Sequence, residues 1–349
     1  MDFELLKQLS NADSIASNEK EVRDIMVEFC ESISDEVFCD NLGSVIFKKN
    51  GSEDGPKIML CSHMDEVGFM VRSVSNEGMI FLITVGGVKE LSKYMQKVRV
   101  TTSQGKKIKG ILNATYDNGT SKDIYMDIGA TTAQEVYDLG IQVGDMVTFD
   151  VDFEEFDLNN IVCGKSFDDR LGCYIMAEVL KRLSKEEHKN TVYMAGTSSE
   201  EVGIRGAKTA VHKVDPDVIF VLDVACFSNE FIRNHTNCRQ IGKGVMLTHF
   251  DRTLAPNKKM IELVKNEAKN IKLNLQLDMF NNGGTDGGEA HKINDGKPTV
   301  VTCLPVRYGH CGYSIANTND IEDCINLYVE IIKNFNIDTY KDLINFLGR

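Results

Sequence analysis

The sequence predicts an α/β fold, a mixed and mostly parallel sheet with helices on both faces, together with a second unit built from β-strands. Near-continuous apolar runs alternate with helix-like segments over most of the 349 residues. A sheet that is covered on both faces requires strands of this kind. The stretch 67–160 has a different pattern, with short alternating strands, and is predicted to be a separate domain.

Seven apolar runs, each bounded by turn residues, are predicted as strands of the sheet. In chain order they are "EVFCD", "SVIFKK", 57–65, 190–201, 217–225, 244–250 and 299–308. Most of them are separated by segments with helical character, which is typical of strands joined through crossover helices.

Four helices are predicted from the spacing of apolar residues. Two open the chain, at about 3–10 and 19–33. A third follows "SFDD", where apolar residues recur at helical spacing from Leu171 to Leu183. A fourth runs from Ile321 to Ile332, with an acidic residue well placed in its first turn.

Residues 67–160 are rich in valine and glycine. They contain alternating pieces such as "KVRVTTSQGKKIKGIL" and "DMVTFDVDF", interrupted by one helix-like stretch, "TTAQEVYDLG". This pattern predicts a small β-barrel or sandwich. Because α/β segments lie on both sides of it, we expect 67–160 to be inserted into a larger domain formed by 1–66 and 161–349.

The bulk composition indicates a globular protein and argues against several other classes. Apolar residues make up 42% of the chain and charged residues 26%. No segment approaches the roughly 20 apolar residues that span a bilayer. The beginning, "MDFELLKQLSNADS", does not resemble a secretory signal, so we expect a cytoplasmic protein without a membrane partner. The net charge of −13 argues against a nucleic-acid surface.

Ten cysteines are scattered singly, without a Cys-x-x-Cys pair. In a large chain without a signal, this distribution favours reduced thiols over disulfides or a cysteine-rich zinc site.

Polar residues that could bind metal lie at the C-terminal ends of the apolar runs or open the helix after "GKSF". They are His63, Asp65, Asp168, Glu200, Glu201, Asp223 and His310. In open α/β sheets the ligand crevice lies outside the carboxyl ends of the strands, so these side chains could converge there.

The residue types suit a dinuclear site for zinc, cobalt or manganese, with two imidazoles and several carboxylates. In an extended segment, adjacent side chains point in different directions. One member of the Glu200–Glu201 pair could therefore bind a metal while its neighbour acts as a general base. Asp65 is two residues from His63, on the same side of the strand, and could fix the imidazole through its second nitrogen.

Each element also has a purely structural interpretation. An adjacent glutamate pair is usually a solvated surface feature, and a histidine at a strand end is often structural. The "DD" before the helix could simply cap it, so Asp168 or Asp169 could have that role alone. The glycine-rich "NNGGTDGGEA" lacks the lysine and spacing of a phosphate loop. It instead predicts close backbone approach around a pocket, with Thr285 and Asp286 starting a helix.

Six stretches resemble the glutamyl, or tetrahedral, aminopeptidases, a family of dinuclear metallopeptidases. They are "HMDEVGFMV", "SFDDRLGC", "EEVGIRGA", "LDVA", "GGTDGGEA" and "PVRYGH". They occur in the family's order, and the resemblance covers nearly the whole chain. It implies a zinc-peptidase-like catalytic domain in 1–66 and 161–349. It also implies that 67–160 is a β-barrel domain that serves oligomerisation and active-site access.

The resemblance also implies a site. One metal would be held by His63 and Asp223, the other by Glu201 and His310, and Asp168 would bridge them. Glu200 would be the general base.

By the same resemblance, Asp65 would orient His63. The implied cofactors are two divalent ions per subunit, zinc or cobalt, with manganese as a third option. The implied assembly is a homo-oligomer, commonly a tetrahedral dodecamer.

Two departures from the family pattern stand near the site. Asp169 occupies a position where relatives often carry asparagine. "HCGYSIANTNDIED" lacks the Ser-Pro that commonly follows the ligating histidine. The resemblance therefore does not predict the shape of the pocket or its substrate preference.

The resulting hypothesis is a metal-dependent aminopeptidase that acts on peptides with a free N-terminus. Two alternatives are an amidohydrolase of small acylated amino acids and a non-catalytic assembly or regulatory subunit of the same fold. Some relatives are labelled cellulase or endoglucanase. A chain without tryptophan offers no aromatic sugar platform, however, and a glycosidase would not need two histidines.

Overall fold

The computed structural model describes residues 3–53, 55–226, 232–236 and 238–348. Its helices in chain order are α1 (Glu4–Asn11), α2 (Lys20–Cys30), α3 (Ala133–Asp138), α4 (Phe167–Leu183), α5 (Arg205–Val214), α6 (Lys258–Asn270), α7 (Gly287–Ala290), α8 (Thr318–Asn334) and α9 (Ile337–Ile344). Short 3₁₀ turns lie at Glu31–Ile33 and Glu90–Lys93.

The strands in chain order are β1 (Glu36–Cys39), β2 (Val45–Lys49), β3 (Ile58–His63), β4 (Gly68–Val74), β5 (Ile80–Val85), β6 (Gln96–Thr101), β7 (Lys107–Asp117), β8 (Thr120–Asp127), β9 (Met146–Phe149), β10 (Glu154–Glu155), β11 (Ile161–Gly164), β12 (Val192–Thr197), β13 (Val218–Cys226), β14 (Met246–Thr248), β15 (Gln276–Asp278), β16 (Thr299–Val306) and β17 (Ser314–Asn317). All seven predicted strands of the main sheet are present among them.

The main sheet has eight strands in the order β1-β2-β12-β3-β13-β16-β14-β15. Its centre is parallel, because β12, β3, β13 and β16 all run in one direction. Strands β1, β2 and β14 are joined to their neighbours by antiparallel pairings, and β15 pairs parallel with β14. The mixed, mostly parallel sheet predicted from the sequence is confirmed, and its parallel centre brings four strand ends to one edge.

Helices cover both faces of this sheet, as predicted. Strand β3 shows why, since Ile58 and Leu60 belong to one hydrophobic cluster and Met59 and Cys61 to another. Alternate residues of a strand point to opposite faces, so a strand buried on both sides must be apolar throughout. The first cluster includes residues of α1, α2, α4, α6 and α8, whereas the second includes residues of α5 and α7.

Between β3 and β11 the chain forms a closed six-stranded barrel, β4-β5-β8-β7-β6-β9. Of the two architectures that the alternating pattern predicted, a barrel or a sandwich, the structure has the barrel. The barrel has its own core, in which the rings of Phe69 and Phe149 meet edge to face with centroids 5.8 Å apart. Closure leaves this small sheet without free edges.

Some elements differ from the sequence pattern. The apolar run 244–250 yields only the three residues of β14, and its partner β15 was not predicted. Strand β15 is half-exposed and three residues long, too short for a period of two to be recognisable. A small sheet, β10-β11-β17, was also not predicted. Over the described residues, no helix is long and apolar enough to span a membrane.

Candidate metal centre

A cleft of about 620 Å³ opens at the carboxyl ends of the parallel strands. Strand β3 ends at His63, β12 is followed by the glutamate pair, Asp223 lies within β13, and the chain after β16 turns back at His310. Six of the seven predicted site residues line this cleft, namely His63, Asp168, Glu200, Glu201, Asp223 and His310. The remaining one, Asp65, is fully buried behind it.

The carboxylate of Asp168 lies between two imidazoles. Its Oδ1 is 3.1 Å from Nε2 of His63, and its Oδ2 is 3.1 Å from Nε2 of His310. His63 ends β3 and His310 lies in the turn after β16, and each imidazole contacts a different oxygen of the same carboxylate. A carboxylate shared in this way has the arrangement that a bridging ligand between two metal ions requires.

Glu201 completes the cluster. One ligand atom each from His63, Asp168 and Glu201 lie within 4.8 Å of one another. Oε1 of Glu201 is buried and makes no hydrogen bond within the described part of the chain, although Nε2 of His310 is 3.5 Å away. A buried carboxylate oxygen without a hydrogen bond is costly unless a cation satisfies it. The imidazole and carboxylate donors suit zinc, cobalt or manganese.

Asp65 contacts both His63 and the segment that carries Glu200 and Glu201, through different atoms. Its carboxylate accepts hydrogen bonds from the backbone N–H groups of Glu200, at 2.9 Å, and Glu201, at 3.1 Å. Nδ1 of His63 is 2.9 Å from the backbone carbonyl oxygen of Asp65 but 3.6 Å from Oδ1. The carbonyl group therefore accepts the imidazole hydrogen bond. The carboxylate instead fixes the segment that carries the two glutamates.

The two aspartates of "SFDD" have different surroundings. Asp168 turns towards the histidines, whereas Oδ1 of Asp169 accepts the backbone N–H of Gly172, at 3.2 Å. The backbone of α4 is non-helical at both aspartates, so this bond lies where its regular part begins. Asp169 also accepts a hydrogen bond from Ser62. The capping role that the sequence allowed for either residue is thus filled by Asp169, which leaves Asp168 available to the cleft.

The imidazoles and Asp168 stabilise each other's charges. Burial opposes protonation of His310, but Glu201 and Asp168 outweigh it and raise the pKa of His310 to about 10. The pKa of His63 is likewise raised despite burial, chiefly by Asp168 and Asp65. Burial disfavours the ionised form of Asp168, yet the two imidazoles hold its pKa below the usual value.

The other carboxyl groups of the cleft have raised pKa values, in contrast to Asp168. Burial raises the pKa of Glu201 to about 7, with a further increase from the charge of Asp168 and an opposing effect of His310. Burial also raises the pKa of Glu200 and that of Asp223 well above their usual values, and neighbouring carboxylates add to both shifts. A divalent cation among these groups would favour their ionised forms.

Several site segments adopt a left-handed backbone conformation at residues other than glycine. Ser166 precedes Asp168 with φ 57°, and Ser199 precedes the glutamate pair with φ 57°. Tyr308 and His310 both have φ 61°. Such conformations cost free energy and cluster at functional sites. Here they turn the chain sharply after β11, β12 and β16, which aims the site residues into the cleft.

Two features of the site were missed by the sequence analysis. Asp286 is buried beside it, where Oδ2 accepts a hydrogen bond from Thr197 at 2.5 Å and Oδ1 has no hydrogen-bond partner among the described residues. Its only signal was the glycine-rich stretch. The predicted close approach around a pocket is confirmed, because Gly284 lines the cleft and a Cβ on it would lie 2.5 Å from the side chain of Thr253. The barrel also contributes Lys89 to the cleft, for which the sequence offered no sign.

Comparison with known proteins identifies the family of the chain. Residues 43–327 match the model of the M42 glutamyl aminopeptidase family. The chain is 34% identical to FrvX of Escherichia coli K12 over 338 residues, which covers 94% of each chain. It is 30% identical to the glutamyl aminopeptidase of Lactococcus lactis, over 99% of both chains.

Solved structures give the same result. The TET aminopeptidase of the marine-sediment archaeon Thaumarchaeota archaeon SCGC AB-539-E09 superposes with a TM-score of 0.93 at 36% sequence identity, with 98% of each chain covered. The fold, the order of the motifs and these similarities together establish that the chain belongs to the M42 glutamyl aminopeptidase family.

Proposed function

We propose that this protein is a metal-dependent aminopeptidase that removes N-terminal residues from peptides with a free amino group. The observation that carries the proposal is the shared carboxylate of Asp168, with a histidine nitrogen 3.1 Å from each of its oxygens. The family membership supports the peptidase class. The cleft supplies both the proposed ligands and a separate carboxylate for proton transfer.

The imidazole and carboxylate groups that line the cleft would provide the donors for two divalent ions. His63 and Asp223 would hold one ion, Glu201 and His310 the other, and Asp168 would contact both. When bound, such ions supply Lewis acidity and a water molecule that ionises near neutral pH. Zinc, cobalt and manganese all suit imidazole and carboxylate donors.

Glu200 is the proposed general base. It lines the cleft and is the sequence neighbour of the proposed ligand Glu201. Burial favours the protonated form of its carboxyl group, so it can hold a proton taken from the attacking water. The same carboxyl group then returns that proton to the departing amine. Asp65 fixes the backbone N–H of Glu200 and so sets where this carboxylate points.

The proposal is tested with pairs of peptides that differ only in a free or an acetylated N-terminus. The protein is first depleted of metal with a chelator and then given zinc, cobalt or manganese. We expect cleavage only of the free-amino peptides and only after metal is restored. Equal cleavage of acetylated substrates would support the amidohydrolase instead. No cleavage with any metal would refute the aminopeptidase and favour a non-catalytic subunit.

We further propose that residues 67–160 act as a domain for assembly and active-site access, in a homo-oligomer that is a tetrahedral dodecamer. Large apolar side chains on this domain are exposed, among them Leu91 (88%) and Val143 (69%), and such side chains mark interaction surfaces when they are clustered. Gly87 and Lys89 extend from the barrel to the rim of the cleft.

Light scattering tests the assembly directly. We expect a mass twelve times the 39.0 kDa of the chain, and a smaller mass for Leu91→Glu. The matched control is Leu277→Glu, on an exposed position of β15 outside the domain, which should keep the wild-type mass. A monomeric wild-type protein would contradict the proposal.

A further inference from the structure

Five charged side chains form a buried cluster between the β-barrel and the metal centre. We call it the junction network, and its members are Arg99, Asp13, Lys165, Glu66 and Arg170. The side chains of Asp13, Lys165 and Arg170 are fully buried, Glu66 is 2% exposed and Arg99 is 9% exposed. None of them is among the site residues predicted from the sequence.

The members contact one another in an unbroken series. Nη2 of Arg99 is 2.6 Å from Oδ1 of Asp13, which is 3.3 Å from Nζ of Lys165. Nζ of Lys165 donates to Oε1 of Glu66 at 2.6 Å. That same oxygen is 3.2 Å from Nη2 of Arg170. Each cation of the network therefore has a carboxylate partner. Glu66 is shared by Lys165 and Arg170, and Asp13 by Arg99 and Lys165.

One end of the junction network surrounds the proposed metal ligands. Glu66 follows Asp65 directly, and Lys165 and Arg170 lie on either side of Asp168 in the sequence. Nε of Arg170 donates to the backbone carbonyl of Met64, the residue after His63, at 2.9 Å. The segments that carry His63 and Asp168 are therefore tied together through these side chains.

The other end lies on the barrel. Arg99 belongs to β6, and its Nη2 also donates to the backbone carbonyl of Asn11 at 2.6 Å. Thr148 of β9 donates to Oδ1 of Asp13 at 2.7 Å. Nζ of Lys107, in β7, is also 2.8 Å from Oδ2 of Asp13. Asp13 is thus held by side chains of three barrel strands while it contacts Lys165, which lies between β11 and α4.

A buried ionic network is a costly way to obtain stability, because desolvation offsets much of the attraction between the charges. Apolar side chains of similar volume could fill the same space at no greater cost. What the charged groups add is direction, since each hydrogen bond fixes the relative position of two backbone segments. Outer groups of this kind orient the ligands of metal sites.

We propose that Lys165 and Glu66 are positioning residues that hold Asp168 between His63 and His310. Through Asp13 and Arg99, the geometry of the metal centre then depends on how the barrel is seated. This inference rests on the proposed metal centre. It goes beyond the assignment of ligands and base, because it gives the barrel a part in forming the site.

The test compares cobalt binding by full-length Lys165→Met, Arg99→Gln and wild-type protein, each first depleted of metal. Removal of an outer group typically weakens metal affinity by about 10–100-fold, and we expect this loss for Lys165→Met, together with altered visible absorption bands of bound cobalt. Arg99→Gln should change both readouts in the same direction, by less. In the peptidase assay, kcat should fall while KM stays unchanged.

Arg182→Gln is the matched control. It removes a 2.7 Å ion pair with Glu322 at the C-terminal end of α4, the helix that also contains Arg170. It should keep wild-type affinity and spectrum. If Lys165→Met does not fold by circular dichroism, Glu66→Gln takes its place.

Wild-type affinity and spectrum in a folded Lys165→Met, or in Glu66→Gln, would overturn the positioning role. The same result for Arg99→Gln would overturn the dependence on the barrel. Cobalt binding needs no substrate, so a wild-type protein that binds cobalt but cleaves no peptide would refute the proposed activity and leave this test intact.

Discussion

Replacing Asp65 with asparagine removes one negative charge and one acceptor oxygen from a fully buried side chain. In the native protein the carboxylate accepts the backbone N–H groups of Glu200, at 2.9 Å, and Glu201, at 3.1 Å. Asparagine has one acceptor oxygen and one NH₂ group. One of the two backbone amides would therefore face another donor and lose its partner.

The expected magnitude follows from these two bonds. A hydrogen bond to a charged group contributes about 1.5–3 kcal/mol, against about 0.5–1.5 kcal/mol for a neutral pair. Losing one charged bond and weakening the other should lower the free energy of unfolding by about 2–4 kcal/mol. The glutamate segment would also shift, and a misplacement of about 1 Å at a reacting group can lower the rate by about 10²-fold.

The assay is urea unfolding of metal-free protein at one fixed protein concentration, followed by peptide hydrolysis after metal is restored. Asp286→Asn is the control, since Asp286 is also buried but accepts, among the residues that the structure describes, only the hydrogen bond from Thr197. Asparagine can keep that bond, so the free energy of unfolding of the control should fall by less than about 1 kcal/mol. A loss for Asp65→Asn no larger than that of the control would refute the role of Asp65 in holding the glutamate segment.

Three further predictions concern the site and its support. Glu200→Gln should keep the wild-type metal content, measured by atomic emission, while turnover falls by about 10²–10⁴-fold; wild-type turnover would remove Glu200 from the mechanism. His63→Ala should lose metal, and two tightly bound ions in this variant would contradict its role as a ligand. Burial opposes ionisation of Asp13, yet Lys165 and Arg99 hold its pKa well below the usual range. Its stabilising effect is therefore present above the unfolded pKa of about 3.9 and is lost as the pH falls below it. Between about pH 5 and pH 3, the free energy of unfolding should therefore fall less for Asp13→Asn than for the wild type, as measured by urea unfolding. An equal fall in both proteins would argue that Asp13 does not cause this pH dependence.

The main elements and the location of the site were predictable because they depend on local patterns and one general rule. The alternation of Ile58, Met59, Leu60 and Cys61 between two cores needs only an apolar run that is covered on both faces. Parallel strands end at a common edge, so polar residues at those ends could be assigned to one cleft without coordinates.

Contacts between distant segments left no local signal. Arg99 and Asp13 are separated by 86 positions, and nothing near either residue indicates that they meet. The contacts of the Asp65 carboxylate depend on the turn at Ser199, which brings two backbone amides towards it. The sequence predicted that the Asp65 carboxylate holds the second nitrogen of His63. In the structure the backbone carbonyl of Asp65 accepts that hydrogen bond, and the carboxylate accepts from Glu200 and Glu201 instead.

Stepwise addition of cobalt to the metal-depleted protein, with hydrolysis of a free-amino peptide measured at each step, tests the central claim most directly. The claim is that Asp168 lies between two metal positions and that both must be filled. Activity should be negligible without metal and should reach its maximum at two ions per chain. Full activity in the presence of chelator, or a maximum at one ion per chain, would contradict the two-metal centre.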